Sequence, residues 1–249
     1  MARRALLGLA GLGIVAGVWA GLAALYPAIL VPSPGEVLAA LAHLAGQGRL
    51  WQELRLTLIR LLAAFGLGSA LGVGLGLLAG QSQALASLLR PGMSLAAGVP
   101  PISWVALALI WFGRGALAPI VVALLVTTPV VFVATLEGVR ALDRDLLAMV
   151  QVFGLRGLDR LRHFHLPALA PHLLSGLSTG AALTVRIGVM GEFLASDSGV
   201  GSAMALARTQ LDTAQVMAWV LVALALLFGI EGLLLGPLAR RAAAWRRGS

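Results

Sequence analysis

The sequence predicts an all-α integral membrane protein with about six transmembrane helices. Hydrophobic residues make up 59% of its 249 residues and charged residues only 11%, whereas a water-soluble domain of this length needs more polar surface. The mean hydropathy is +0.96. Apolar stretches of about 20 residues, which are long enough to cross roughly 30 Å of hydrocarbon, occur six times along the chain.

The first predicted span follows Arg3 and Arg4. Its apolar run is longer than the 7 to 15 residues of a signal-peptide core, so we interpret it as a transmembrane helix. In chain order, the predicted spans cover residues 5–25, 56–79, 85–112, 116–136, 169–195 and 214–235.

Prolines interrupt two of these spans. Pro100 and Pro101 fall inside the third, and Pro119 and Pro129 inside the fourth. Within lipid, such breaks persist only where neighbouring helices or a water-filled cavity satisfy the freed carbonyl groups. Broken helices at these positions therefore indicate a pathway through the protein.

The segment 31–55, between the first two spans, is too polar to cross a membrane. After a Pro-Ser-Pro sequence, its apolar residues recur at helical spacing: Val37, Leu38, Leu41, Leu44 and Ala45. This pattern predicts a short amphipathic helix on the outer surface. The predicted organisation is an N-terminal transmembrane helix at 1–30, this periplasmic segment, a core at 56–240 with a cytoplasmic loop at 137–167, and a basic tail at 241–249.

The net charge of +8 comes from arginine, because the chain has no lysine. The arginines flank apolar runs and do not gather on a polar domain, which favours a role in membrane topology over nucleic-acid binding. If the N-terminus is cytoplasmic, twelve arginines fall in inside segments and four in outside segments. The charge bias therefore predicts that both termini are cytoplasmic.

The absence of lysine also excludes an ordinary P-loop, which needs a lysine to hold the β and γ phosphates. The sequence GVGLGLLA at Gly72 to Ala79 contains the degenerate pattern GxGxxA. It lies in an apolar helix with no preceding strand, so we interpret these small residues as a surface for close helix packing.

Charged residues within the spans need partners or water, because an ionised side chain at membrane depth costs at least about 2.5–3.5 kcal/mol. Arg186 and Glu192 are separated by about 240° around a helix, so each needs a partner on another element. Arg186 is either an anion contact on a translocation route or half of an interhelical salt bridge, and we favour the salt bridge. Glu192 is expected to shape an outer gate, and Arg60 and Glu231 to extend to the membrane interface.

The loop between the fourth and fifth spans is the largest polar insertion on the cytoplasmic side. Asp143 can cap a short helix that Gly154 ends. Four apolar residues lie on or near one face of that helix: Leu146, Leu147, Val150 and Phe153. Because apolar side chains facing water are costly, this face predicts a cytoplasmic protein partner.

The same loop resembles the EAA motif of the permease subunits of bacterial ABC importers. In that motif nine residues separate a glycine from Ile-x-Leu-Pro; here nine residues separate Gly154 from Phe164, His165, Leu166 and Pro167. The EAA triplet itself is replaced by Ala148, Met149 and Val150, although Asp143 and Asp145 lie nearby. Three further stretches resemble the nitrate, sulfonate, taurine and bicarbonate branch of this family: LVPSPGEV at 30–37, PPISWVALALIWFG at 100–113 and GEFLASDSGVG at 191–201.

The resemblance implies a type I ABC importer permease fold with a cytoplasmic coupling helix, in a bacterial inner membrane. It also implies a permease homodimer, two ATPase subunits that carry ATP and Mg²⁺, and a periplasmic binding protein that delivers a small solute, such as a sulfonate, taurine, nitrate or bicarbonate. The chain itself is expected to bind no cofactor and to catalyse no reaction. The expected ATPase-coupling residues are Asp143, Asp145, Leu146, Leu147, Ala148, Met149, Val150, Phe153, Gly154, Leu155, Arg156, Gly157, Phe164, Leu166 and Pro167.

The residues expected to line the path or its gate are Pro100, Pro101, Trp104, Arg186 and Glu192. Two other classes of protein remain as alternatives. A proton-coupled secondary transporter needs a titratable group near the bilayer centre, and Arg186 is a poor proton carrier because its pKa stays above about 12. An intramembrane enzyme needs catalytic or metal-binding residues at membrane depth, and we identify no such set.

Overall fold

The computed structural model describes residues 2–142, 166–230 and 232, and within them the ordered elements are all helices. The predicted all-α membrane architecture is thereby confirmed. In chain order the helices are α1 (Ala2–Leu25), α2 (Pro34–Gly46), α3 (Arg49–Gln81), α4 (Gln83–Gly98), α5 (Pro101–Phe112), α6 (Leu117–Arg140), α7 (Leu166–Ala195), α8 (Val200–Thr209) and α9 (Thr213–Gly229).

Each of the six predicted spans contains helix. Within the described residues, three helices are long and apolar enough to cross a membrane, namely α3, α6 and the Leu169–Ala195 part of α7, and α4 with α5 adds a bent fourth. The apolar helices near the two ends, Gly13–Leu25 and α9, are shorter. This is the architecture of a multi-pass membrane protein. The helix α8 was not predicted, because its ten residues are too few and too polar to stand out as a span.

Small residues set the contact between α3 and α6. A Cβ atom added to Gly72 would lie 2.8 Å from the Cβ of Val131, and one added to Gly76 would lie 2.6 Å from the Cβ of Thr135. The two backbones can approach this closely only because glycine has no side chain. The interpretation of this stretch as a helix-packing surface is confirmed.

The α6–α7 contact is equally close. Gly180 of α7 faces Val131, where an added Cβ would lie 3.2 Å from Cγ2, and the hydroxyls of Thr127 and Thr184 are hydrogen-bonded at 2.7 Å. Each hydroxyl also lies 2.7 Å from the carbonyl oxygen four residues earlier in its own helix, and the hydroxyl that accepts in the pair donates its proton to that carbonyl. The helices α3, α6 and α7 therefore form a bundle in which these buried hydroxyls are satisfied.

The predicted break in the third span is confirmed. The axes of α4 and α5 differ by 95°. Pro101 occupies the first turn of α5, where its missing N–H is not needed. The indole Nε1 of Trp104 donates to the carbonyl of Ala96 on the other side of the bend, at 3.3 Å. That bond helps to fix the angle between the two helices.

The predicted amphipathic helix is also confirmed, as α2. Ser33 caps its N-terminus, and Glu36 completes a capping box by accepting from the Ser33 backbone. Val37 and Leu44 are buried in a cluster with Trp219 of α9, while Leu38 is exposed. The segment is thus held to the bundle by one buried face.

We predict that Gly72→Ala destabilises the protein by about 1–3 kcal/mol, because the added methyl group overlaps α6. Gly74→Ala is the matched control, since a Cβ added there meets nothing within 4 Å. The measurement is the midpoint temperature of thermal unfolding of each purified variant in detergent. Size-exclusion chromatography of each variant follows. Equal midpoints for the two variants would contradict this packing.

Candidate functional site

A buried ion pair joins α3 to α7. Arg60 Nη1 lies 2.8 Å from Glu192 Oε1, and the two residues are 8% and 1% exposed. The expectation that Arg60 extends to the membrane interface is therefore wrong. Its side chain turns into the protein because Glu192 offers a carboxylate there, which removes the need to reach water.

The Arg60 guanidinium also binds the turn that follows α7. Nη1 donates to the backbone carbonyl of Ser198 at 2.7 Å and to Ser196 Oγ at 3.2 Å. Nη2 donates to Ser198 Oγ at 2.7 Å. The planar, multi-donor shape of arginine suits this arrangement, which a lysine ammonium could not reproduce.

The second oxygen of Glu192 binds the start of α8. Oε2 accepts from Thr57 Oγ1 at 2.7 Å and from the Gly201 backbone N–H at 3.2 Å. Thr57 Oγ1 in turn accepts from the Val200 N–H at 2.8 Å. The carboxylate is therefore matched by both a cation and neutral donors.

A second carboxylate, Glu53, completes the site. Its Oε2 accepts from the Gly199 N–H at 2.6 Å. The first N–H groups of α8 thus find acceptors on α3 and α7, and negative charge at a helix N-terminus is favourable. We call this set the buried clamp: Glu53, Thr57, Arg60, Glu192, Ser196 and Ser198.

Two glycines allow the clamp to close. Gly199 has φ +100°, a conformation that other residues rarely adopt, and a Cβ there would collide with the Glu192 carboxylate. Gly201 lies directly against the α7 backbone at Val189 and Phe193. The segment GEFLASDSGVG therefore encodes a tight turn that carries α8 back onto α7.

The clamp is suited to holding helices together. Arg60 and Glu192 neutralise each other within the site, and hydrogen bonds occupy the donors and acceptors that face inward. It fixes α3, α7 and α8 relative to one another. An exposed pair, Arg114 and Asp197 at 2.7 Å, adds a surface link between the α5–α6 connection and the end of α7.

The structure separates the residues that were predicted to line a path or gate. Pro100, Pro101 and Trp104 lie at the α4–α5 bend. Glu192 is buried in the clamp, where its carboxylate binds α3 and α8. Arg186 is exposed on α7, and among the described residues no carboxylate lies within 4 Å of it. The interhelical salt bridge that we favoured for Arg186 is not found among the described residues, and the buried ion pair that the structure shows joins Arg60 to Glu192 instead.

The predicted coupling segment lies almost entirely outside the described residues, which resume at Leu166. Of its members, Leu166 and Pro167 are described, and they open α7. The predicted coupling residues between Asp143 and Phe164 stay predictions.

Sequence reasoning missed every member of the clamp except Glu192, and three of the missed residues lie on α3: Glu53, Thr57 and Arg60. They recur at intervals of four and three residues, which places them along one face of α3. That periodicity, together with the need of each intramembrane charge for an opposite one, could have identified Arg60 as the partner of Glu192.

Similarity to a known protein family covers most of the chain. Residues 72–241, well over half of the chain, match the family model described as binding-protein-dependent transport system inner membrane component. The riboflavin transport system permease protein of Chloroflexus aurantiacus is 30% identical over 88% of this chain and 82% of its own length. The taurine transport system permease protein of Escherichia coli is 29% identical over 98% of this chain and 91% of its own. A candidate aliphatic sulfonates transport permease of the same organism is 32% identical over 74% and 70%.

We predict that Glu192→Leu costs about 3–5 kcal/mol of stability, because it leaves Arg60 charged and buried without a partner. The double variant Arg60→Met with Glu192→Leu should recover a large part of that loss, since no charge is then stranded. Thermal midpoints of both single variants, the double variant and the wild type measure the coupling.

The control for this prediction is Asp197→Asn, which breaks the exposed pair with Arg114. The side chains of Arg114 and Asp197 are 56% and 68% exposed, so the change should cost at most about 1 kcal/mol. If the double variant is as unstable as the sum of its single variants, Arg60 and Glu192 do not stabilise each other.

Proposed function

This chain belongs to the family of binding-protein-dependent transport system inner membrane components, and we propose that two copies of it form the path of an ATP-driven importer. The chain is a permease subunit of an ABC importer for a small solute. The observation that carries this function is the family match over residues 72–241. That region contains the α4–α5 bend, most of the central bundle and the predicted coupling segment.

In the proposed assembly, two separate ATPase subunits bind ATP and Mg²⁺ and dock on the segment between α6 and α7. The sequence supports this division of labour, because a chain without lysine has no ordinary P-loop of its own. A periplasmic binding protein delivers the solute. Both termini lie in the cytoplasm, as the arginine distribution favours.

Close packing beside the coupling segment supports its role as a lever. At the end of α6, a Cβ added to Gly138 would lie 2.9 Å from the Cβ of His172 and 3.0 Å from Leu169 Cδ2 on α7. The two helix ends that flank the segment are therefore in contact. A displacement imposed by an ATPase would pass to α6 and α7 as one unit, and close packing would carry it to α3.

The proposed mechanism is alternating access. ATP binding closes the ATPase pair, the coupling segments transmit that movement, and the path changes from inward-facing to outward-facing. The α4–α5 bend would take part at the path, because backbone that departs from a continuous helix is tolerated at membrane depth where it is buried in protein or lines a cavity.

We further propose that the solute is small and carries an anionic group, as a sulfonate, taurine, nitrate or bicarbonate does. Relatives of similar identity carry taurine and riboflavin in their names, and the sulfonate of taurine is ionised at neutral pH whereas riboflavin has no ionised group there. The exposed arginine on α7 favours the anion.

We predict that Gly154→Pro abolishes co-purification of the ATPase subunits with the tagged permease in detergent, because proline cannot adopt the αL conformation expected at that helix end. Gly154→Ala is the control, since alanine keeps the N–H group and a wider range of φ. Each variant's amount in the membrane is measured by immunoblot, so that loss of ATPase is separated from loss of the permease.

Equal recovery of ATPase with Gly154→Pro and wild type would contradict docking at this segment. If both variants lose the ATPase at normal permease levels, then position 154 tolerates no side chain. That result would still support docking of the partner at this segment.

A further inference from the structure

We propose that one face of α7 lines the translocation path and selects anions through Arg186. We call it the α7 face, and its members are Ser175, Thr179, Ala182, Arg186, Met190 and Phe193. The proposal rests on the proposed function, because it concerns the same path, and it names the chemical class of the solute that the path admits.

Helical geometry places these residues together. At 100° per residue, the six positions fall within about 80° of one another around the axis. Ser175, Thr179 and Arg186 are exposed, and the other three members are partly buried. The opposite side of α7 is packed: Gly180 faces Val131 and Gly188 faces Leu61. The helix therefore has one packed side and another side on which Ser175, Thr179 and Arg186 are exposed.

Arg186 lies too deep to reach water beyond the membrane. It is nine residues from Ala195 at the end of the helix, about 13 Å along the axis, inside a helix segment of the length and composition of a span. A charge facing lipid at such depth is costly, so intramembrane arginines face a protein interior or a water-filled cavity. Among the described residues no carboxylate lies within 4 Å of it.

Helix geometry directs Arg186 toward the polar residues of the α7 face. Side chains on a helix lean toward its N-terminus, so the guanidinium of Arg186 leans toward Thr179. Their hydroxyl groups allow Ser175 and Thr179 to donate hydrogen bonds to an anion and to water. A hydroxyl-lined route thus continues from the charge toward the start of α7.

A second cation stands at the other end of the α7 face. The Arg208 guanidinium of α8 lies 5.3 Å from the centre of the Phe193 ring, and Arg208 is itself exposed. Phe193 and Arg186 are seven residues apart, about 10 Å along the axis. Two positive charges therefore follow one another along the same side of α7, which attracts anions and repels cations.

The α7 face borders the α4–α5 bend. Met190, one turn beyond Arg186, packs against the same buried cluster as Trp104 of α5. The α7 face and the broken helix thus contact a common buried cluster, although Arg186 itself lies one turn away from it. The buried clamp keeps its own charges out of this path, because Arg60 and Glu192 neutralise each other on another side of α7.

The chain contains no cysteine, so a single introduced thiol reports local charge without a background. The test is Thr179→Cys in the full chain, in membranes opened so that reagents reach both sides. Two methanethiosulfonate reagents of similar size are used, one bearing a sulfonate and one a trimethylammonium group. The quantity measured is the ratio of the anionic to the cationic reaction rate at position 179, and we expect this ratio to be high. Arg186→Gln should lower it by about tenfold, because at low dielectric a nearby positive charge attracts one reagent and repels the other.

Two controls accompany the test. Arg186→Lys keeps the charge and should preserve the rate ratio, which a merely structural role of the guanidinium would not. Leu71→Cys, on an exposed apolar part of α3, should react slowly with both reagents. A rate ratio unchanged by Arg186→Gln, or an introduced thiol at position 179 that neither reagent reaches, would overturn the proposal.

The labelling needs neither ATP nor a partner protein. Anion-selective labelling in a chain that fails to retain ATPase subunits would refute the proposed function and leave this inference standing. A chain that retains ATPase subunits but shows no anion-selective labelling would refute this inference alone.

Discussion

The packing of the helices in this protein depends on how charged side chains at membrane depth are paired. An isolated, ionised arginine or glutamate there is unfavourable in free energy. At α3 this is offset because Arg60 forms an ion pair with Glu192 at 2.8 Å. Thr57, Ser198 and the first N–H groups of α8 complete the coordination. The pair thus determines where α8 lies and how the turn after α7 closes.

Once that pair is formed, the two sides of α7 have different roles. Its packed side is fixed by glycines against α3 and α6 and by the clamp against α8. Its open side keeps Arg186 without a carboxylate partner among the residues described. A rigid, neutralised scaffold on one side holds Arg186 at a defined position on the other. The same rigidity suits a permease that must pass movement from its cytoplasmic segment to its path.

The helices were predictable because their length and hydropathy are direct consequences of the bilayer. The break at Pro100 and Pro101 and the capped helix after Ser33 were predictable because local chemistry fixes them. The buried clamp was not predicted, because Arg60 and Glu192 are 132 residues apart in sequence and nothing local reports their contact. The short helix α8 was not predicted for a similar reason, because its position depends on hydrogen-bond acceptors that α3 and α7 supply.

The central claim is that this chain supplies a path whose movement is driven by ATP on another subunit. The most direct measurement is uptake of labelled taurine, an alkanesulfonate, nitrate and bicarbonate into liposomes that contain the purified permease, with or without its ATPase subunits and binding protein. We expect uptake of at least one of these solutes, and we expect that uptake to require both the ATPase and ATP. Uptake driven by an imposed proton gradient, in liposomes that contain the permease alone, would contradict it.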